Sequence, residues 1–217
     1  MSDSKNIQEE ITHQDVKISG HERLFERYRK VDKFLFTHRA MNPDAEEWLP
    51  VMDREIVRCH KASAVLLYDP VSDSLLLNKQ FRLGVILAGY DEPYMIECAA
   101  GVIDPGEDPE TTAVRETFEE TGATVTDLEY VARSFPSAGS NDEVVYLYCG
   151  RIDGIPDQRY HGILEEGEEI ETFVVPASEV ETLLVTDKVQ HASTLTLLNW
   201  FLRHHERLQK KWGGDNA

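Results

Sequence analysis

The sequence predicts an α/β protein, with strands on both sides of one short helix and a longer helix closing the chain. Alternating or short apolar runs occur at 62–68, 75–82 and 94–99, and again at 128–135, 143–152 and 170–175. Signals for the start and the end of a helix stand on either side of residues 109–121. A short helix is expected near 178–184, and apolar residues at helical spacing predict a longer helix at 193–212. The chain of 217 residues is long enough for one good-sized core with a small appended domain.

The N-terminal part predicts strands of its own. Residues up to about His21 are polar and lack clear periodicity, whereas partial alternation at 24–39 and a further run at 49–57 favour strands over helix. We therefore predict two regions, an N-terminal part at 1–57 and a main domain at 58–217.

The residue pattern of the C-terminal helix predicts that this helix packs against the core. Its predicted apolar stripe consists of Leu195, Leu198, Phe201 and Leu202. Its last turns carry four cations that suit the negative end of the helix dipole: Arg203, Arg207, Lys210 and Lys211.

Charge and composition exclude several classes of partner. Forty acidic and 22 basic residues give a formal net charge of −18, so neither nucleic acid nor an anionic membrane surface is an expected partner. A small anionic substrate stays open, because a bound metal inverts the local potential. The three cysteines form no C-x-x-C pair and are expected to be reduced and buried. No apolar run is long enough to cross a bilayer or to act as a signal peptide, and we expect a cytoplasmic protein.

A glutamate-rich segment at 101–123 carries the chemistry. Asp108 before Pro109 is typical of a helix start, and Gly122 is typical of a helix end. Between them Glu116, Glu119 and Glu120 are spaced to lie on one helical face. Like charges this close destabilise a helix unless a hard divalent cation with oxygen ligands joins them, so the segment predicts a site for a metal and a diphosphate.

The alternative for this segment is a solvated acidic helix face, which needs neither a glycine-rich approach loop nor a fixed arginine. Seven identities stand at fixed places: Gly101, Glu107, Arg115, Glu116, Glu119, Glu120 and Gly122. At about 7% for each residue type, chance matches of this kind arise about once in 10⁸ positions. The segment is identified as a Nudix box.

The flanking segments resemble the ADP-ribose pyrophosphatase branch of the Nudix superfamily. Residues 96–107 are similar to its E-x-x-A-G-x-I/L-x-x-G-E motif, and 79–82 to its Q-x-R strand. Residues 137–143 stand at its S-P-G-G-x-x-E loop, and 161–170 at its H-G-L-x-x-E-x-E-x-I segment. The chain departs from the pattern at four positions, of which the last two affect the loop expected to wrap the substrate: Thr117, Ala123, Ala138 and Ser140.

The resemblance implies a Nudix α/β/α sandwich with a mixed sheet. It also implies a homodimer in which N-terminal antiparallel sheets are exchanged between subunits. The implied cofactor is Mg²⁺, with Mn²⁺ as the alternative. The implied metal ligands are Glu116, Glu120, the backbone carbonyl of Ala100 and Glu168, with Glu119 as a further ligand or a supporting group.

The resemblance also implies catalytic roles. Glu166 is the expected general base, with Glu143 as its rival, and the alternative for 165–169 is a solvated acidic loop. Arg115 is expected to hold a metal-binding carboxylate. Arg82 is expected to clamp a phosphate, unless it is an ordinary surface arginine at a strand end. His161 is expected either to touch a phosphate or to be solvated.

The substrate pocket is expected to use residues of the N-terminal part. Tyr28 stands where the branch places an aromatic that stacks on adenine, and Arg54 with Glu55 where it reads the base edge. Gly139 belongs to the substrate loop. The alternative for Tyr28 is a tyrosine of the sheet core or surface.

The implied reaction is Mg²⁺-dependent hydrolysis of ADP-ribose, a nucleoside diphosphate sugar, to AMP and ribose 5-phosphate. Two alternatives stay open. The altered loop at Ala138 and Ser140 allows another nucleoside diphosphate sugar such as GDP-mannose, and some Nudix domains are nucleotide sensors without turnover. A sanitiser of mutagenic nucleotides is disfavoured by the N-terminal strands.

Overall fold

The computed structural model describes residues 13–162 and 167–214. Its contacts divide the chain into two compact units. The N-terminal unit comprises Met1–His60 and Ser137–Glu143, and the main unit comprises Lys61–Pro136 and Val144–Ala217.

The N-terminal unit is built on an antiparallel sheet in the order β1-β2-β3, with β1 at Val16–Glu26, β2 at Lys30–His38 and β3 at Met52–Arg58. β1 begins earlier than its sequence predicts. Two irregularities in its pairing with β2 break the alternation from which a strand is recognised. The segment Ser137–Glu143 belongs to this unit through the backbone of β3, because the Val57 amide donates to the Ser140 carbonyl at 2.9 Å.

The main unit contains a mixed sheet. The described strands of this sheet are β4 (Ala62–Asp69), β5 (Ser74–Phe81), β6 (Tyr94–Glu97), β7 (Ala99–Val102), β8 (Val125–Ser134), β9 (Val145–Ile152), β10 (Tyr160–His161) and β11 (Ile170–Pro176). The central order is β10-β11-β5-β4-β9-β8, with β6 beside β5 and β7 beside β4. The pairing of β4 with β9 is parallel and the other pairings are antiparallel.

The helices of the main unit are α1 (Leu83–Leu87), α2 (Pro109–Thr121), α3 (Val180–Val185) and α4 (Ala192–Trp212), and a short 3-10 helix (Ala177–Glu179) precedes α3. The helix signals around α2 act as predicted. Asp108 accepts the backbone N–H groups of Glu110 and Thr111 at 3.0 and 2.9 Å. Gly122 ends the helix in the left-handed conformation, with φ of 68°. The single turn of α1 follows β5 without a recognisable cap and was not predicted.

Two apolar clusters lie on opposite faces of the sheet. Alternate residues of β4 divide between them: Leu66 joins the cluster that includes Phe201 of α4, and Leu67 joins the cluster that includes Ala113 of α2. This division places the sheet between helices and confirms the α/β/α sandwich with a mixed sheet, and the predicted N-terminal antiparallel sheet is also present.

The buried face of α4 differs from the predicted stripe. Leu198 and Phe201 are buried as predicted, but Leu202 is 38% exposed. The buried apolar residues of α4 are Leu197, Leu198, Phe201, Leu208 and Trp212. The stripe therefore continues to the end of the helix, which the cations of the last turns concealed in the sequence.

All three cysteines are free thiols, with Cys98 and Cys149 buried and Cys59 partly exposed. Among the described residues, no helix is both long enough and apolar enough to cross a membrane.

Candidate active site

Helix α2 carries the three glutamates of the predicted metal site, and they differ in exposure. Glu120 is 8% exposed, the side chain of Glu116 is 15% exposed and that of Glu119 is 55% exposed. Because Glu116 and Glu120 stand four residues apart, both turn toward the sheet, and Glu119 lies at the edge of the same face.

Gly101 gives Glu116 its room. A Cβ atom added at Gly101 would lie 1.9 Å from Cδ of Glu116 and 2.1 Å from its Oε1. No side chain larger than hydrogen fits there unless the carboxylate moves. Because the φ of Gly101 is not in the left-handed region, its backbone conformation does not require glycine. The close approach of Glu116 does.

Arg115 joins the carboxylates of the segment. Its guanidinium donates to both oxygens of Glu107, at 3.1 and 2.9 Å, and also to Glu116 Oε1 at 2.7 Å and Glu119 Oε2 at 3.0 Å. Arg115 lowers the pKa of Glu107 to about 2 and so keeps that carboxylate ionised. Glu107 thus anchors the arginine, and the arginine orients Glu116 and Glu119.

Glu120 is the most buried acid of the group. Its Oε2 accepts the backbone N–H of Ala100 and Nδ2 of Asn78, both at 2.9 Å. Burial raises its pKa to about 8; the Ala100 amide lowers it, and the charges of Glu116 and Glu168 raise it further. Burial likewise raises the pKa of Glu116, with Arg115 lowering it and the charges of Glu119 and Glu168 raising it. The carboxylates are therefore close enough to repel one another.

Glu168 belongs to this group electrostatically, and Gln80 Nε2 on β5 donates to its Oε1 at 3.3 Å. Gly162 lies close to Glu168 in space and has a φ of 93°. A Cβ atom added at Gly162 would lie 2.7 Å from the carbonyl oxygen of Glu168. The predicted base Glu166, like Glu165, lies outside the described residues.

The donor set suits a hard divalent cation. Glu116, Glu120 and Glu168 offer carboxylate oxygens whose mutual repulsion a cation would relieve. Asn78 Oδ1 is buried and has no hydrogen-bond partner among the described residues. Within the same residues, no three acidic, histidine or cysteine side chains converge tightly enough to hold an ion as they stand. Arg115 neutralises part of the charge of this group, because it binds Glu116 and Glu119.

Arg82 is placed beside these acids with part of its guanidinium already engaged. Its Nε and Nη2 each donate at 2.8 Å to the buried carboxylate of Glu97. This pairing raises its pKa, and the charges of Glu120 and Glu168 also raise it. The side chain is 44% exposed and its Nη1 takes no part in the pairing with Glu97, so the guanidinium has a donor left for an anion.

His161 lies near the end of α2. Its Nε2 is 3.0 Å from the carbonyl oxygen of Gln158, and its ring approaches Gly122, where an added Cβ would be 3.3 Å from Cε1.

The N-terminal unit holds the residues expected to contact the nucleobase, and the structure brings only two of them together. Arg54 and Gly139 line an apolar hollow of about 360 Å³. The rest of its lining is Val16, Ile18, Phe34, Phe36, Ile56 and Ala138. Tyr28 is 85% exposed at the β1–β2 turn, with the guanidinium of Arg29 5.3 Å from its ring centroid.

Two further predicted residues lie in this unit. Glu55 is exposed on β3, and the backbone N–H of Glu143 donates to Asn141 Oδ1 at 3.1 Å.

Asn78 is a site residue that the sequence reasoning missed. The signal that could have found it is an amide directly after the apolar run Leu75-Leu76-Leu77, on a strand whose next residues belong to a recognised motif. A polar side chain at a buried strand position requires a partner, and here the partner is Glu120.

Comparison with known proteins agrees with this geometry. The NUDIX domain model matches residues 58–198. The chain is 31% identical over 208 residues to the ADP-ribose pyrophosphatase of Haemophilus influenzae, covering 94% of each chain. It is 32% identical over 145 residues to the GDP-mannose pyrophosphatase of Cronobacter sakazakii, covering 67% of this chain and 75% of the relative.

A solved structure of similar fold is described as an ADP compounds hydrolase. It aligns with a TM-score of 0.65 and 20% identity, covering 92% of this chain and 97% of the other. Three observations agree on the family. The NUDIX domain model matches most of the chain, and a relative is matched over nearly its full length. Helix α2 also carries its glutamates with Gly101 and Arg115 in place. The chain belongs to the Nudix family.

Proposed function

We propose that this chain hydrolyses ADP-ribose to AMP and ribose 5-phosphate with Mg²⁺ as cofactor. The main support is the pairing of two buried or nearly buried glutamates, Glu116 and Glu120, beside Glu168 and Arg82. This arrangement suits a cation and an anionic diphosphate. The near full-length relative named ADP-ribose pyrophosphatase supports the choice of substrate.

Each residue has a proposed task. Glu116, Glu120 and Glu168, with the carbonyl of Ala100, would hold the divalent cation, and Glu119 would contribute from the exposed edge. When bound, the cation supplies positive charge that offsets the diphosphate and lowers the pKa of a water molecule. Arg115 keeps Glu116 and Glu119 in place, and the outward edge of Arg82 would bind a phosphate oxygen.

The bond changes follow from hydrolysis. The oxygen of a water attacks one phosphorus of the diphosphate, and the bond from that phosphorus to the bridging oxygen breaks. Glu166 would take the proton of the attacking water. The bridging oxygen leaves on the other phosphate, where the charge of Arg82 would stabilise it.

We also propose a homodimer that acts in the cytoplasm, with Tyr28, Arg54, Glu55 and Gly139 serving the nucleobase. The support is the resemblance of the N-terminal strands and the apolar hollow beside Arg54 and Gly139. Analytical ultracentrifugation tests the dimer: a single species of about twice the 24.7 kDa chain mass is expected, and a monomer at micromolar concentration would contradict it.

Hydrolysis in the presence and absence of Mg²⁺, followed by mass spectrometry, tests the proposed reaction. We expect AMP and ribose 5-phosphate from ADP-ribose with Mg²⁺ and neither product with excess chelator. Glu166→Gln is expected to lower kcat by about 10²–10⁴ while KM changes little, the usual effect of losing a general base. If Glu166→Gln keeps full activity and Glu143→Gln loses it, the base is Glu143.

A second candidate function is hydrolysis of GDP-mannose or a similar nucleoside diphosphate sugar. It is favoured by the loop substitutions at Ala138 and Ser140 and by the relative named GDP-mannose pyrophosphatase. The same carboxylates would serve that reaction, and GMP with mannose 1-phosphate would be its products.

A further inference from the structure

Asn78 is a buried polar residue in an otherwise apolar stretch of β5. Leu75, Leu76 and Leu77 before it are at most 2% exposed, and Asn78 itself is 3% exposed. Burying an amide without full hydrogen bonding costs free energy, and one polar atom of this amide, Oδ1, lacks a partner among the described residues. A leucine would fill the position more favourably if packing alone mattered.

The other end of the amide has a specific partner. Asn78 Nδ2 donates to Glu120 Oε2, the same oxygen that accepts the backbone N–H of Ala100, and both distances are 2.9 Å. Two donors from two strands therefore hold one oxygen of a carboxylate that is 8% exposed. Such a pair fixes the plane of the carboxylate and leaves Oε1 to other ligands.

The next inward residue of β5 repeats the arrangement. Gln80 lies two residues further on, so its side chain leaves the same face of the strand as that of Asn78. It donates to Glu168 Oε1 at 3.3 Å. Two amides of one strand thus each contact a carboxylate proposed to hold the cation, and the contact made by Asn78 is the shorter and more buried.

We propose that Asn78 is a positioning residue for Glu120: it holds Oε2 so that Oε1 faces the divalent cation. This inference rests on the metal site of the proposed function. It goes beyond that function in assigning a role to a strand residue outside the glutamate helix.

Metal affinity measured without substrate tests the role. We expect Asn78→Leu, which removes the donor at similar volume, to weaken Mn²⁺ binding by about 10–100-fold, the usual effect of losing a partner of a metal ligand. The free Mn²⁺ signal in electron paramagnetic resonance gives the dissociation constant. Asn78→Ser, whose hydroxyl is too short to reach Glu120, provides a second variant if the leucine variant does not fold, and the same direction is expected.

Thr172→Val is the matched control. Thr172 faces Asn78 across the β5–β11 pairing and is 6% exposed, and its hydroxyl donates to the Gln158 and Arg159 carbonyls rather than to a proposed ligand. We expect its dissociation constant for Mn²⁺ to match that of the wild type within about twofold, because its hydroxyl donates to backbone carbonyls and to none of the proposed metal ligands.

A double-mutant cycle separates positioning from general disturbance of the sheet. If Asn78 acts through Glu120, Asn78→Leu is expected to add nothing to the loss caused by Glu120→Gln. Wild-type affinity in folded Asn78→Leu and Asn78→Ser, or full additivity with Glu120→Gln, would overturn the role. Wild-type protein that binds Mn²⁺ but cleaves no nucleoside diphosphate sugar would contradict the proposed function and leave the Asn78 assignment supported by the affinities alone.

Discussion

The absence of a Cβ atom at Gly101 allows strand β7 to lie close to helix α2. An added Cβ at this position would overlap the carboxylate of Glu116, at 1.9 Å from its Cδ. The position therefore links the backbone of β7 to a proposed metal ligand. Conformational freedom is not its reason for being glycine.

We expect Gly101→Ala to displace Glu116 and to lower kcat/KM for ADP-ribose by about 10–100-fold, the range seen when a metal ligand loses its support. The half-saturating Mg²⁺ concentration is expected to rise in the same variant. Steady-state kinetics at several Mg²⁺ concentrations measure both effects.

Gly84→Ala is the control for this prediction. An added Cβ at Gly84 meets nothing within 4 Å, and the residue lies in helix α1. Alanine there is expected to leave activity unchanged and to stabilise the helix slightly. Equal activity of the Gly101 and Gly84 variants would contradict the role given to Gly101.

Residue identities at the site were predictable where a spaced motif carried them. Glu116, Glu120 and Arg115 stand in the pattern, and the structure brings them together. The partner of Glu120 was not predictable, because Asn78 lies 42 positions away and is brought near only by the sheet. The bidentate pairing of Arg82 with Glu97 was missed for the same reason: it depends on β5 pairing with β6.

At the scale of elements, helix α4 offers a matched comparison of one substitution at two positions. Leu198 is fully buried and Leu202, one turn later, is 38% exposed. We expect Leu198→Ala to lower the free energy of unfolding by about 2–5 kcal/mol, the usual range for a buried leucine. Leu202→Ala is expected to cost less, about 1 kcal/mol, because 38% of its surface is exposed already and less apolar area is removed from the interior. Urea unfolding measures both, and similar losses would contradict the packing described for α4.

The N-terminal sheet contains a buried ion-pair cluster. Asp32 is fully buried, and Arg23 pairs with it through both carboxylate oxygens. Arg58 Nη1 donates to Oδ2 at 3.1 Å, and His21 Nε2 lies 3.3 Å from the same oxygen. Burial raises the pKa of Asp32, but these hydrogen bonds outweigh burial and hold the pKa below its ordinary value.

This cluster predicts a pH dependence of stability. Because the folded pKa of Asp32 lies below the unfolded value of about 3.9, its contribution is complete above that pH. The contribution is lost as pH falls through the folded pKa. We expect Asp32→Asn to lower the free energy of unfolding by about 1–3 kcal/mol at pH 7. Breaking a fully buried ion pair costs about 3–5 kcal/mol, and the loss is smaller here because both arginines are partly exposed.

Urea unfolding from pH 7 to pH 3 measures this dependence, and the difference between wild type and Asp32→Asn is expected to shrink below about pH 4. Asp53→Asn, which removes an exposed pairing with Lys33 on the same sheet, is the control and is expected to change stability little. A difference that stays constant over this range would show that the Asp32 charge does not support the sheet.

Elements were predictable where pattern and boundary signals agreed. Helix α2 has both a cap and a glycine end, and it forms where expected. The start of β1 and the short α1 were not predictable, since irregular pairing hides the alternation of β1 and α1 lacks a side-chain cap. The division of β4 between two cores was also hidden, because a strand buried on both faces reads as one apolar run.

At the scale of the whole molecule, the net charge of −18 and the cluster of acidic side chains at the site both favour the binding of cations. Diphosphate substrates approach an acidic protein favourably only where cations gather, and we propose that the carboxylates of α2 and Glu168 form that place. The family was predictable from the motif and is confirmed by the NUDIX domain match. The choice among nucleoside diphosphate sugars was not predictable, because the chain is similar both to a relative named ADP-ribose pyrophosphatase and to one named GDP-mannose pyrophosphatase.

Competition between substrates tests the central claim most directly. Purified wild-type protein is incubated with Mg²⁺ and equal concentrations of ADP-ribose and GDP-mannose, and the products are followed by mass spectrometry. We expect AMP and ribose 5-phosphate to form faster than GMP and mannose 1-phosphate, in proportion to kcat/KM for each substrate. Faster release of GMP would contradict the proposed substrate, and absence of all four products would contradict the proposed hydrolase activity.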